Sequence, residues 1–373
     1  MGKGKIDEAI GQFRYEGVLI DERPYGSGHI NDTYLLTFEI AEMGTIKVIL
    51  QRMNKNIFTK PIELMENILN VTSYLRKKII ENGGDPDRET LNVIRTVDDM
   101  PYFVDSEGEY WRSYKFITDA TSYDQVESPE DFYQSAVAFG NFQRLLAEYP
   151  AETLHETIEG FHDTKARFQV FKKAVEDDVC GRAASVQKEI QFVLEHEHLA
   201  NVFADLLEKK EIPLRVTHND TKLNNIMIDN KTRKGICVID LDTVMPGLVG
   251  HDFGDAIRSA ANFVEEDSPE AERAGVNLAV FRAFSEGFLK KTAAALTERE
   301  IDLLAGSCFS LAAELAARFL DDYLLGDPYF KTDYPEHNLV RARCQIALAK
   351  DMRLHMAEME EIVHACAAKY RGA

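Results

Sequence analysis

Val216-Thr217-His218-Asn219-Asp220-Thr221-Lys222-Leu223-Asn224-Asn225-Ile226-Met227-Ile228-Asp229 is the stretch on which the reading of this chain turns. A short apolar run, Leu214 to Thr217, leads into a polar cluster where the carboxylate Asp220 is followed five residues later by the amide Asn225. A second apolar run, Ile236 to Ile239, ends on Asp240. Asn and Asp favour turns between strands, and a lone Asp-x4-Asn reads most simply that way. Here His218 stands two residues upstream and Ile239-Asp240 follows at a fixed interval, and the turn reading leaves both unexplained.

The residue types suit phosphoryl transfer from ATP to a hydroxyl. There a carboxylate accepts the hydroxyl proton, and an amide and a second carboxylate hold magnesium against the nucleotide phosphates. Magnesium takes hard oxygen ligands in near-octahedral geometry, with phosphate and water completing the shell. Asp220 is the expected catalytic base, and Asn225 and Asp240 are the expected metal ligands. The transfer is mostly positioning and charge stabilisation, so no histidine base is required. His218 is expected to brace the loop, and Lys222 to be solvated or near phosphate.

Upstream, Gly17 to Ile20, Tyr34 to Ile40 and Thr45 to Arg52 have strand composition. The turn cluster Tyr25-Gly26-Ser27-Gly28-His29-Ile30-Asn31 lies between two of these runs. A dinucleotide-binding glycine loop would instead lie between a strand and a helix. Gly26 and Gly28 let backbone N–H groups approach phosphates, although a plain hairpin turn fits the same residues. Pro61 can open a helix, and Leu64, Ile68, Val71, Leu75 and Ile79 form its apolar stripe up to Asn82-Gly83-Gly84. Leu91 to Thr96, Tyr102 to Asp105 and Tyr110 to Ile117 read as further strands. Beyond Ile117 the pattern is helical: Phe132, Ala136, Phe139, Leu146 and Tyr149 share a face, as do Leu304, Cys308, Leu311, Leu315 and Phe319. The expected fold is α+β and bilobal, with a β-rich N-lobe over residues 1–117 and a mostly helical C-lobe over 118–373.

The pattern resembles the aminoglycoside phosphotransferase and choline kinase superfamily, with its His-x-Asp-x4-Asn and following Ile-Asp. The N-acetylhexosamine 1-kinase group is similar over several further stretches: Gly26 to Tyr34, Gln51-Arg52-Met53-Asn54, Phe161-His162-Asp163-Thr164, Ile239 to Thr243 with Gly254-Asp255, and Arg318-Phe319-Leu320 with Gly326-Asp327. The resemblance covers nearly the whole chain. It implies a protein-kinase-like fold and ATP- and Mg2+-dependent phosphorylation of a sugar, at the anomeric hydroxyl of an N-acetylhexosamine. It also implies that Gly26, Ser27 and Gly28 face the nucleotide, and that Tyr114, Phe116 and Ile117 form a hinge holding the adenine. Many kinases carry a phosphate-pairing Lys on the third strand. This chain departs from that pattern, with Arg52 at the matching position and Lys47 as its competitor. Glu63 or Glu66 is the candidate partner.

The acceptor is expected to meet His29, Ile30, Asp242 and Arg318. Arg318 lies in an apolar helix near Glu314, Asp321 and Asp322, where a structural ion pair is the equal alternative. Asp242 either faces the sugar or orders the metal loop, as Asp255 is expected to do. Choline, homoserine and aminoglycosides remain alternative acceptors. Two other classes compete: a phosphatase of the haloacid dehalogenase kind, with Asp240 as nucleophile and Asp242 as general acid, and an inactive nucleotide-binding scaffold.

Of the 373 residues 45% are hydrophobic and 28% charged, and the formal net charge is −20. So acidic a balance opposes nucleic-acid binding, which needs cations to displace counterions. Five cysteines stand at scattered positions without metal or redox spacing, as buried reduced thiols do. Neither a leader nor a bilayer-spanning run is read from the sequence. The expectation is a cytoplasmic protein, a monomer or small homo-oligomer, with ATP and a small sugar as partners and no nucleic acid or membrane.

Overall fold

Strand-forming runs and one amphipathic helix build the first part of the chain, in a computed structural model that describes residues 3–26, 30–123 and 128–371. In chain order the first elements are α1 (Lys3–Ile10), β1 (Val18–Pro24), β2 (Asp32–Ile40), β3 (Gly44–Arg52), α2 (Pro61–Glu81), β4 (Val93–Ile94), β5 (Phe103–Val104), β6 (Tyr110–Lys115) and β7 (Ala120–Thr121). Then follow α3 (Pro129–Leu145), α4 (Thr164–Asp177), α5 (Gln187–Ala200), α6 (Val202–Glu208), β8 (Arg215–Thr217), β9 (Ile226–Asp229), β10 (Gly235–Val238) and β11 (Met245–Gly247). Helices α7 (Val249–Ala260), α8 (Leu278–Thr292), α9 (Glu298–Leu325), α10 (His337–Leu354) and α11 (Met356–Arg371) complete the chain.

These elements form two compact units. The first takes in residues 1–121, 153–158 and 227–245, and the second takes 122–152, 159–226 and 246–373. The architecture is α+β, an antiparallel sheet region followed by a mostly helical remainder.

In the first unit the strands run β1-β2-β3-β6-β4, with β5 also on β6. The β2–β3 pairing is unbroken from Asp32↔Arg52 to Ile40↔Gly44. Ile6 and Ala9 of α1, Phe13, and the sheet residues Leu36, Phe38, Val48, Leu50 and Trp111 share one core. Burying each large side chain of this kind contributes about 1.5–3 kcal/mol. Pro61 opens α2, whose predicted stripe Leu64, Ile68, Val71, Leu75 and Ile79 is buried. A smaller sheet, β10-β9-β7, joins through Ala120↔Asp229 and Thr121↔Ile228.

In the second unit Ser128 caps α3 and Pro129 occupies its first turn. Phe132 of α3 packs on Phe284 of α8, ring centroids 4.7 Å apart. Helix α9 starts with a capping box between Thr297 and Glu300 and ends at Gly326 in the left-handed conformation. By length and composition α9 could cross a membrane, but 78% of its apolar window is buried, the position of a core helix.

Candidate functional site

In the second unit β8 delivers the chain into the loop that carries Asp220. His218 is fully buried, edge-on to Phe139 and Phe142 of α3 at 5.5 and 6.2 Å. Asn219 adopts the left-handed conformation at φ 63°, which Asn tolerates better than most residues. The loop backbone is held by α7. Asp252 accepts the His218 N–H on Oδ2 at 3.0 Å and the Asn219 N–H on Oδ1 at 2.8 Å, with Gln143 Nε2 also on Oδ2 at 2.6 Å. One turn later Asp255 accepts the Thr221 N–H at 3.1 Å, and Thr221 Oγ1 donates to the Asp252 carbonyl at 2.7 Å. A methyl group on Gly254 would lie 2.7 Å from the Ser307 carbonyl of α9, so glycine is what lets α7 pack this closely.

Asn225 Nδ2 donates to the Asp220 carbonyl at 2.8 Å and to its Oδ2 at 3.1 Å. With the amide nitrogen so committed, the amide oxygen is the group left for a hard cation. Lys222 Nζ pairs with Asp220 Oδ1 at 2.7 Å. Burial works against the Lys222 charge, and Asp220 and Asp255 outweigh it, raising the ammonium above its usual range. For Asp255, burial would raise the carboxyl, while Arg258 and Lys222 hold it below the usual range. Asp252 is pushed up by burial, though His218 and the donated N–H bonds oppose this. Neither Asp252 nor the clamp it forms was foreseen from the sequence, where the available signal was an acid inside the helical apolar stripe Val249, Phe253, Ala256, Ile257 and Ala260.

In the first unit Gly26 stands at φ 83° with open space where a side chain would project, a conformation that favours glycine. Ser27, Gly28 and His29 lie outside the described residues. Ile30 is half-exposed, and Tyr25 meets Phe116 edge-on at 5.7 Å. The Phe116 N–H is taken by the Lys47 carbonyl at 3.2 Å, so that donor is engaged by β3 and not presented to a ligand. Ile117 packs with Met227, Cys237, Ile236 and Ile239 of the small sheet. Tyr114 is a core residue whose ring lies 5.4 Å from the Arg112 guanidinium.

Arg52, the residue expected to pair the phosphates, is paired here with Asp32. Its Nε and Nη2 are both on Asp32 Oδ2, the former at 2.9 Å, because Asp32 is its register partner across β2–β3. Neither expected acidic partner meets it: Glu66 pairs with His155 at 2.7 Å, and Glu63 with Lys60 at 3.6 Å.

Asp240, at the end of β10, is left-handed at φ 57° and opens a tight turn over Leu241–Thr243. Asp242 is deeply buried, and its two oxygens take both terminal nitrogens of Arg112 and Nδ2 of Asn31. The carboxylate is held at the turn by these two partners. Arg112 was missed in the sequence, although a cation inside the apolar run Tyr110 to Ile117 was the available signal. Asn67 of α2 donates to the Val244 carbonyl just after the same turn, at 3.0 Å.

Arg318, in α9, belongs to the second unit. Its guanidinium lies 5.4 Å from the ring of Phe330 and 5.9 Å from that of Tyr329. The acids near it are largely used elsewhere. Glu314 meets His162 at 3.2 Å and Thr164 at 3.0 Å, and Asp322 takes the Tyr329 and Phe330 N–H groups and Asn338. Burial opposes the Glu314 charge, and the adjacent His162 and Arg318 hold it at about 2. Among the described residues, no ion pair at hydrogen-bonding distance joins Arg318 to an acid.

The same architecture occurs in kinases of small molecules. An aminoglycoside phosphotransferase from Alicyclobacillus acidocaldarius superposes with a TM-score of 0.61 at 11% identity, over 98% of this chain and 97% of its own. A microcompartment-associated aminopropanol kinase has a TM-score of 0.61 at 19% identity, over 91% and 93%. Amicoumacin kinase, solved with AMP-PNP, Ca2+ and amicoumacin, has a TM-score of 0.57 at 10% identity, over 93% of both chains. At these identities the likeness is one of fold. The sequence itself matches the phosphotransferase enzyme family over residues 21–296, most of its length, and the chain belongs to that family.

Proposed function

We propose that this protein is an ATP- and Mg2+-dependent kinase that phosphorylates the anomeric hydroxyl of an N-acetylhexosamine to give the 1-phosphate. The observation that carries the kinase reading is the Asn225–Asp220 contact, 3.1 Å from amide nitrogen to carboxylate. It orients the base and turns the amide oxygen toward a cation. In this reading Asn225 and Asp240 are the residues that would hold Mg2+, which would supply positive charge to the nucleotide phosphates. Asp220 orients the acceptor hydroxyl and takes its proton as the new O–P bond forms and ADP leaves. Gly26 would lie near the phosphates, and the aromatic pair Tyr25–Phe116 near the adenine. The nucleotide and divalent cation solved with amicoumacin kinase support this cofactor set. An ATP-dependent enzyme of this kind works in the cytoplasm.

For the acceptor, Arg318 supports the sugar reading. A guanidinium braced on two aromatic rings and not consumed by a carboxylate suits an amide carbonyl or a ring hydroxyl. The test is ATP consumption with Mg2+ against N-acetylglucosamine, N-acetylgalactosamine, galactose, choline, homoserine and kanamycin, with the phosphate position read by NMR. Turnover of an N-acetylhexosamine to its 1-phosphate is the expected result. Turnover of choline or kanamycin alone would overturn the acceptor and leave Asp220, Asn225 and Asp240 in their roles.

A further inference from the structure

Arg112 is the anomalous residue of the first unit. It stands in β6 between Trp111 and Ser113, and its side chain is 1% exposed. Burial works against its charge, and Asp242, with Asp240 at longer range, outweighs that and keeps it ionised. All three guanidinium nitrogens are used. Nη1 and Nη2 donate to the two oxygens of Asp242, the latter at 2.9 Å, and Nε donates to Gln51 Oε1 at 3.0 Å.

The bonds continue in both directions. Gln51, the register partner of Arg112 in β3, donates from Nε2 to Thr33 Oγ1 of β2 at 3.0 Å. Asp242 Oδ2 accepts Nδ2 of Asn31 at 2.7 Å, and Asn31 Oδ1 accepts the Asn54 N–H at 3.0 Å. A polar chain thus crosses β2, β3 and β6 and ends on the turn that Asp240 opens.

A buried ion pair contributes little net stability compared with apolar side chains of the same volume, and where it is retained its use is to fix a particular arrangement. The arrangement here is the Leu241–Thr243 turn. Asp242 is two residues from Asp240 within one tight turn, and a planar two-point fork on its carboxylate sets how that turn is rotated. Asp240 itself holds a left-handed conformation, which persists in a non-glycine residue only when its surroundings impose it.

We propose that Arg112 is a positioning residue for the metal: through Asp242 it aims the Asp240 carboxylate. The inference rests on the reading of Asp240 as a metal ligand. Mg2+ demands near-ideal octahedral geometry, so a misaimed ligand is felt in metal affinity before anything else.

The experiment titrates Mn2+ by EPR in the presence of ADP and, separately, measures ADP binding in EDTA by calorimetry. Arg112→Lys keeps the buried charge and removes the fork. It should weaken Mn2+ binding by about tenfold or more, the usual effect of removing an outer-sphere support, and leave ADP affinity in EDTA unchanged. Arg112→Met/Asp242→Leu removes the charge pair altogether and should fold well, yet show the same Mn2+ loss. Asn31→Ala, at the accessible end of the chain of bonds, should show a smaller loss. Mn2+ affinity equal to wild type in Arg112→Lys, or restored together with stability in the double variant, overturns the proposal. A loss of ADP affinity in EDTA that parallels the Mn2+ loss overturns it as well. Wild-type protein that binds no Mn2+ with ADP would instead overturn the metal reading of Asp240, a result visible before any variant is made.

Discussion

Replacing Asp252 by Asn changes one atom, and its effect follows from the donors around that side chain. Three N–H groups converge on the two oxygens: His218 N and Gln143 Nε2 on Oδ2, and Asn219 N on Oδ1. That is the pattern of an ionised carboxylate, acceptor only. In the Asp252→Asn variant, whichever position becomes the amide nitrogen faces at least one N–H donor. One hydrogen bond to a charged group is lost, about 1.5–3 kcal/mol, and a buried N–H is left unsatisfied, about 1–3 kcal/mol. Against this, a neutral amide escapes the cost of burying charge, which is what pushes the Asp252 carboxyl up. The terms oppose, and with two losses against one gain the net is a destabilisation of about 2 kcal/mol. The effect on turnover is larger than that figure suggests, because the N–H groups that recoil belong to the two residues before Asp220. A displacement of about 1 Å at a catalytic group costs on the order of a hundredfold in rate. Steady-state ATP consumption at saturating ATP and acceptor, paired with urea denaturation, measures both. A kcat near wild type in a variant that has lost the expected stability would refute the view that α7 positions the catalytic loop through Asp252.

The remaining predictions concern individual side chains. Asp220→Asn should lower kcat by about 10³-fold and leave nucleotide affinity unchanged in a binding titration; unaltered kcat would remove Asp220 from the base role. Arg318→Lys should raise KM for N-acetylglucosamine by roughly tenfold, since the planar fork and its seat on the aromatic rings are lost together; an unchanged KM would move the sugar elsewhere. Burial, with Asp322 beside it, pushes the Asp321 carboxyl up to about 7. A folded-state value above the unfolded one means the native state binds more protons, so this group lowers stability progressively as pH rises from about 4 to about 7. Denaturation midpoints at pH 5 and pH 8 should therefore differ less in Asp321→Asn than in wild type, and an identical difference would assign the slope to other groups.

The long, periodic elements were legible because their burial follows one rule. The α2 stripe and its end at Asn82-Gly83-Gly84 emerge as α2 with Asn82 at its C-cap, and the runs at Tyr34–Ile40 and Thr45–Arg52 emerge as the paired strands β2 and β3. Helix α7 was missed although Val249, Phe253, Ala256, Ile257 and Ala260 recur at helical spacing. What the stripe could not convey is that Asp252 and Asp255 are also buried, because the backbone N–H groups of His218, Asn219 and Thr221 supply their partners, a tertiary fact with no local signature. Strand β9 was absorbed into the Asp220–Asp229 stretch, since four buried residues directly after a loop carry no period of their own. The position of Arg52 along β3 was legible, whereas its cross-strand neighbour Asp32 was not.

The net charge of −20 invites the idea of a cationic acceptor, and the placement of the buried acids weakens that inference. Deeply buried carboxylates are each matched within their own unit: Asp242 by Arg112, Asp255 by Arg258, Glu300 by Arg215, Glu314 by His162 and Asp252 by three N–H groups. Much of the excess lies on solvated side chains, where water and salt screen it. Around Arg318, Asp322 is committed to other donors, Asp321, at about 7, is only partly ionised at neutral pH, and Glu314, held at about 2, stays ionised beside His162 and Arg318. An ammonium brought there would meet that carboxylate as well as the guanidinium, so the total charge of the chain does not by itself choose the acceptor class.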